Sequence, residues 1–175
     1  MEDVRESELL SALLRKGFQM SGENVPLGFD SRRIAQTLAK LPRGLGSTLE
    51  ALFATSWPSD SFFLGRIELL GPDRINQEHD ALLPGCLIVN FGFLCIGSDG
   101  AGTLFSYCVD DGKVYLIPHE YVSEDAVYAR PWNKLEVSAE NIKAIAEQSW
   151  DSLGALFEWA LAGLNQMDAE TENKA

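Results

Sequence analysis

What this chain lacks narrows its roles first. Its 175 residues contain no apolar run of about 18 residues, so nothing in the sequence reads as a membrane span. The opening MEDVRESELL is acidic and has no basic stretch leading into an apolar one, so it is not expected to be a signal peptide. Cations are scarce: 14 Lys and Arg stand against 26 Asp and Glu, a net charge of −12. Binding to nucleic acid needs a basic patch that releases counterions from phosphates, and anionic membranes need the same, so neither partner is expected. There are only two histidines, His79 and His119, and neither has a ligand partner at i, i+4. No metal site and no cofactor is therefore expected, and both residues read as loop histidines near strand ends.

Cysteine is also sparse. Cys86, Cys95 and Cys108 all fall in apolar stretches expected to be strands. An odd number of strand cysteines points to buried free thiols in a reducing compartment, hence a cytoplasmic protein. Burial raises a thiol's pKa, so none is expected to be a nucleophile. The glycine-rich run Gly97-Ser98-Asp99-Gly100-Ala101-Gly102 lacks the lysine and hydroxyl of a phosphate loop, and no helix pattern follows it. It reads as a turn.

What is present fits one domain over 1–175, with 46 % hydrophobic and 23 % charged residues. A chain of this size buries about 70 % of its unfolded surface and needs no disulfide or metal to fold. Helical spacing covers 4–18 through Leu9, Leu10, Leu13, Leu14 and Phe18. A second helix is expected from Asp30 or Ser31 to Leu41, where Pro42 stops it. Ser47-Thr48-Leu49-Glu50 reads as a capping box opening a helix to about Ser56. The segment 62–70 reads as one strand, 74–81 as a loop or short helix, and Val127 and Tyr128 as a last strand. Ser138 is expected to cap a helix carrying Ile142, Ile145 and Ala146. The apolar stripe Leu153, Leu156, Phe157, Ala160, Leu161 and Leu164 marks the clearest helix. Trp150 is expected on that helix, Trp57 at the end of an earlier one, and Trp159 off the stripe. Residues 165–175 read as a flexible acidic tail.

The most informative stretch is 83–121, read as consecutive strands. Asp99-Gly100 and Asp111-Gly112 lie between alternating apolar residues, the strongest short-range hairpin signal. Strands are expected at 93–97, 103–109 and 113–117. Helices, then strands, then helices indicate an α+β fold: an antiparallel sheet of about five to six strands with helices packed mainly on one side. Thr103, Ser106 and Lys113 point to a partly polar second face.

The stretch resembles the core of the SUKH superfamily, the domain of Smi/Knr-type glucan-synthesis regulators and of bacterial immunity proteins. The resemblance rests on Pro84-Gly85, on Phe93-Leu94-Cys95-Ile96-Gly97 followed by Ser98-Asp99-Gly100-Ala101-Gly102, and on Thr103-Leu104-Phe105-Ser106-Tyr107. Gly112-Lys113-Val114-Tyr115-Leu116, His119-Glu120 and the helix from Ser149 to Leu161 complete it. It covers 45–164, with 1–44 as preceding helices. Pro42 and the segment 44–52 replace the family's usual N-terminal helix start.

The resemblance implies a non-enzymatic protein-binding domain. The leading expectation is an immunity protein that neutralises a cognate nuclease-type toxin. The alternatives are a glucan-synthesis regulatory scaffold, an enzyme with a sheet-face cleft, or a structural subunit. The acidic charge suits a basic toxin domain, because opposite fields steer encounter; it equally serves solubility. The carboxylates expected at the interface are Glu68, Asp99, Asp110, Asp111, Glu120 and Glu124. Trp132, a loop tryptophan in Arg130-Pro131-Trp132-Asn133, reads either as an interface anchor or as a plug over the sheet edge.

Overall fold

A computed structural model describes residues 2–22, 24–42 and 46–172. The chain opens with α1 (Glu2–Ser21), whose Leu10, Leu14 and Phe18 are buried. Asp30 caps α2 (Ser31–Leu38) by accepting the Arg33 N–H at 2.9 Å. The next helix, α3 (Ser47–Thr55), starts one residue earlier than the expected capping box requires. Gly46 is its cap, and the Gly46 carbonyl accepts the Leu49 and Glu50 N–H groups.

The expected strand 62–70 is a hairpin, β1 (Phe62–Leu64) and β2 (Ile67–Leu69). Gly65 turns between them with φ +62°, and a Cβ there would lie 2.8 Å from the Ala160 carbonyl oxygen, so the turn requires glycine. Pro72–Ala81 forms α4. Gly85–Ile88 forms a short α5, followed by a 3-10 turn at Val89–Phe91. This corrects the reading of 83–91 as strand and takes Cys86 out of the sheet. An apolar run this short has no periodicity that separates strand from helix.

The expected strands then follow: β3 (Phe93–Ser98), β4 (Leu104–Cys108) and β5 (Val114–Ile117). A 3-10 turn, His119–Tyr121, leads to a small hairpin of β6 (Val127–Ala129) and β7 (Asn133–Leu135). Ser138 caps α6 (Ala139–Ala144), as the sequence indicates, through a hydrogen bond from the Asn141 N–H. Trp150 lies on β8 (Gln148–Trp150), not on the last helix. The helix begins after it because Ser152 caps α7 (Leu153–Glu172), accepting the Ala155 N–H on its hydroxyl at 3.1 Å. The span read as a tail is helical as far as Glu172; residues 173–175, and Gly44 and Leu45 in the segment 44–52, lie outside the described residues.

The fold is α+β, with a six-stranded antiparallel sheet in the order β1-β2-β3-β4-β5-β8. On one face Leu64, Ile67, Leu69, Leu94, Ile96, Phe105 and Val114 pack against α1, α3 and α7. On the other, Phe93, Cys95, Leu104, Tyr115 and Ile117 join Ile88, Tyr121, Val127, Ile142 and Ile145. That face is covered rather than free: Thr103 and Ser106 are both buried, while the Lys113 side chain is 42 % exposed. Coverage stops at the β1–β2 hairpin, where Phe63 is 59 % exposed opposite its cross-strand partner Glu68.

Candidate functional site

The sheet has two ends, and they separate the expected interface carboxylates. Ser98 pairs with Leu104, and Leu104 with Ile117. The 99–103 turn and the His119–Tyr121 turn therefore share one end. Phe93 pairs with Cys108, which puts the 109–113 turn at the other. Glu68 pairs with Ser98, so Glu68, Asp99 and Glu120 belong to the first end, and Asp110 and Asp111 to the second.

Asp111 is structurally committed. Its carboxylate accepts from the Tyr115 hydroxyl and the Lys113 N–H and lies 2.8 Å from the Lys143 ammonium. Burial pulls its pKa upward, but these hydrogen bonds outweigh burial and hold it below the ordinary value. Asp99 also builds its turn, accepting the Ala101 and Thr103 N–H groups on one oxygen. Gly102 follows with φ +99°, and a Cβ there would come within 2.8 Å of the His119 ring, so the two turns are pressed together.

At this end the β6–β7 hairpin carries Trp132 at its tip, 63 % exposed. Its φ of +84° is left-handed, a conformation that strains a bulky residue. The Trp132 N–H donates to the Ala129 carbonyl at 2.7 Å, and its ring lies 5.4 Å from the Tyr121 ring. Arg130 joins Tyr121 to Glu147. Its Nε donates to the Tyr121 hydroxyl at 2.7 Å, its guanidinium stands 5.3 Å from the Tyr121 ring centre, and its other arm donates to Glu147 at 3.0 Å. The Glu147 N–H donates to the Leu116 carbonyl, which ties the backbone of this residue to the sheet. Between Tyr121, Tyr128, Arg130, Ile145 and Glu147 runs a groove of about 510 Å³.

The chain segment that builds this end is acidic. From 119 to 147 the sequence holds six carboxylates (Glu120, Glu124, Asp125, Glu136, Glu140, Glu147) and three cations (Arg130, Lys134, Lys143). Each cation is matched: Arg130 to Glu147, Lys134 to Asp125, and Lys143 to Asp111. Among the described residues Glu124 has no Lys or Arg partner, and the salt-bridge neighbour of Glu120 is His119 at 3.5 Å. Of the residues in this region, the sequence reading names Glu120, Glu124 and Trp132 as interface candidates and does not name Tyr121, Arg130 or Glu147 as such. Arg130 beside Trp132 was the one available signal; Glu147 is distant in sequence and arrives only through β8.

His79 is not a loop residue. It sits on α4, 2 % exposed. Its Nε2 accepts the Cys95 N–H at 3.1 Å, and its carbonyl accepts from Lys40. Burial, with Lys40 adding to it, pushes the ring's pKa down to about 4. The Cys95 thiol is pushed up by burial and by the nearby Glu78 carboxyl, and it lies 4.0 Å from the Ser106 hydroxyl. With the His79 acceptor nitrogen occupied by a backbone N–H, this pair is not arranged as base and nucleophile. Among the described residues no group of three His, Cys, Asp or Glu is placed to hold a metal ion, and no helix is long and apolar enough to cross a membrane.

The chain matches no protein-family model, and no curated protein matches it either.

Proposed function

We propose that this chain is a non-enzymatic protein-binding domain that engages a basic partner at the sheet end carrying Glu120, Glu124 and Trp132. The observation that carries the reading is Trp132, held exposed in a left-handed conformation beside carboxylates that outnumber their cations. An exposed, strained aromatic contributes little to a core, and a tryptophan with an arginine neighbour is typical of interface anchors. The SUKH resemblance gives the partner its class: a basic, nuclease-type toxin domain that this chain, as an immunity protein, neutralises in the cytoplasm. Free thiols fit that compartment. Asp110 and Asp111 are not part of this surface.

The test is biosensor association with a toxin domain encoded beside this chain, at low and high salt. The double variant Glu120→Gln, Glu124→Gln should slow association, and salt should slow it for the parent chain, with screening over about 10 Å at 0.1 M. An on-rate indifferent to both would remove the electrostatic reading. The absence of any complex with such a domain would remove the immunity role.

A further inference from the structure

The contacts of Arg130 describe a receptor for a guanidinium group. An aromatic face, a hydroxyl acceptor and a carboxylate converge on it from Tyr121 and Glu147. Glu120 adds its negative field to the same cation. The backbone of Glu147 is held by the sheet, so its side chain projects from a fixed point beside Tyr121 and Arg130. Arg130 itself is loosely held, because its side chain is 72 % exposed. An exposed ion pair is worth little and exchanges readily. The open groove that Arg130 lines, and the exposed Trp132 ring on the same Tyr121, leave room for a second side chain.

We propose that Arg130 is an internal placeholder, and that the cradle of Tyr121, Glu120, Glu147 and Trp132 receives an arginine side chain of the partner. The proposal rests on the protein-binding reading above and specifies the group recognised. An arginine fits better than a lysine. Its planar fork can bind the carboxylate through two N–H groups and stack on the indole at once, whereas an ammonium is a compact point charge. The partner's arginine takes the Glu147 carboxylate, Arg130 gives up its hydrogen bonds and swings into solvent, and no covalent bond is made or broken.

The experiment needs no knowledge of the partner. A blocked pentapeptide of alternating arginine and glycine is titrated into the full chain and followed by NMR at the backbone and indole N–H signals. Its citrulline counterpart keeps the shape and removes the charge; a lysine counterpart keeps the charge and removes the fork. The arginine peptide should shift the Trp132 indole signal and bind at least several-fold more tightly than either control. Glu147→Gln should weaken it roughly 10-fold, the loss of one charge-assisted pair. Trp132→Ala should weaken it roughly 3-fold, the loss of one exposed cation–π contact. Arg130→Ala should tighten binding, because it removes the competitor. Ala144→Trp, at an exposed position lining the groove, should block it without removing any cradle group. Equal binding of the arginine and citrulline peptides, an Arg130→Ala variant that binds no tighter, or shifts centred on Asp110 and Asp111 would each overturn the proposal. A toxin complex that is salt-sensitive while the peptide fails would remove the cradle and leave the protein-binding reading standing.

Discussion

The His79 imidazole and the Cys95 backbone are joined by a hydrogen bond in which the Cys95 N–H donates to Nε2 at 3.1 Å. With Nε2 accepting, the neutral ring carries its proton on Nδ1, an atom with no partner among the described residues. Protonation would bury a charge, with the Lys40 ammonium nearby. The folded-state pKa is therefore pushed from 6.5 to about 4. The unfolded chain takes this proton first on acidification, so the stabilisation is complete above pH 6.5 and is lost as the pH falls toward 4. The loss should be on the order of 3 kcal/mol. Glu78 pulls the other way: burial raises its pKa, so the folded state gains its proton first. Denaturant titrations at stepped pH should therefore compare the parent chain with His79→Gln, which keeps an acceptor but cannot titrate. The variant should lose most of the destabilisation between neutral and mildly acid pH. Parallel curves for the two would show that His79 titrates normally.

Asp111 and Glu124 should respond differently to the same neutralisation. Asp111→Asn weakens hydrogen bonds from Tyr115 and Lys113 and an ion pair with Lys143, at a cost of about 1–2 kcal/mol. Its stabilisation is also lost as the pH falls below the ordinary carboxyl value of 3.8, because its folded-state pKa is depressed. Glu124→Gln should change stability by less than about 0.5 kcal/mol. Thermal melts of both variants at neutral pH check the contrast.

Trp132→Gly should leave the melting temperature nearly unchanged. Relief of the left-handed strain recovers about 1–2 kcal/mol, while loss of the Tyr121 contact costs about 0.5–1.5 kcal/mol. The two nearly cancel. A large drop in melting temperature would mean that the ring is a structural plug, the alternative reading of this loop.

Native thiol labelling should be selective. Cys95 and Cys108 are buried, and burial raises both thiol pKa values. Cys86, half-buried on α5, should react first with an aromatic disulfide reagent. Cys95 and Cys108 should wait for unfolding. Mass mapping of the labelled peptides distinguishes them.

The parts of the fold legible in the sequence were those governed by local chemistry. The two Asp-Gly turns placed β3, β4 and β5 to within a residue or so, because the glycines at 100 and 112 adopt φ of +79° and +71° and the aspartates bond their own turns. The Ser138 cap and the stripe on α7 were equally readable. The failures came where an apolar run is too short to show a period, as in 85–91, or where one glycine breaks an apolar run, as Gly65 does in 62–70. At the site, the sequence revealed charge and the exposed tryptophan. It could not reveal that Asp111 faces Lys143 from across the fold, or that Glu147 meets Arg130. Those pairings depend on how the sheet is threaded, which single residues do not encode.

The β6–β7 hairpin stands apart from the main sheet, three residues to a strand. Part of what fixes it is the burial of Val127, with Leu135 packed on the same cluster, and the surface ion pair Lys134–Asp125. Such an element opens far more often than the molecule unfolds. Its amide protons would exchange with solvent through brief local excursions, while those of β3 and β4 would wait for global unfolding. The hairpin is thus a built-in reporter: an occupant of the Tyr121 cradle would slow deuterium uptake at Tyr128 and Lys134 while leaving the central strands unchanged.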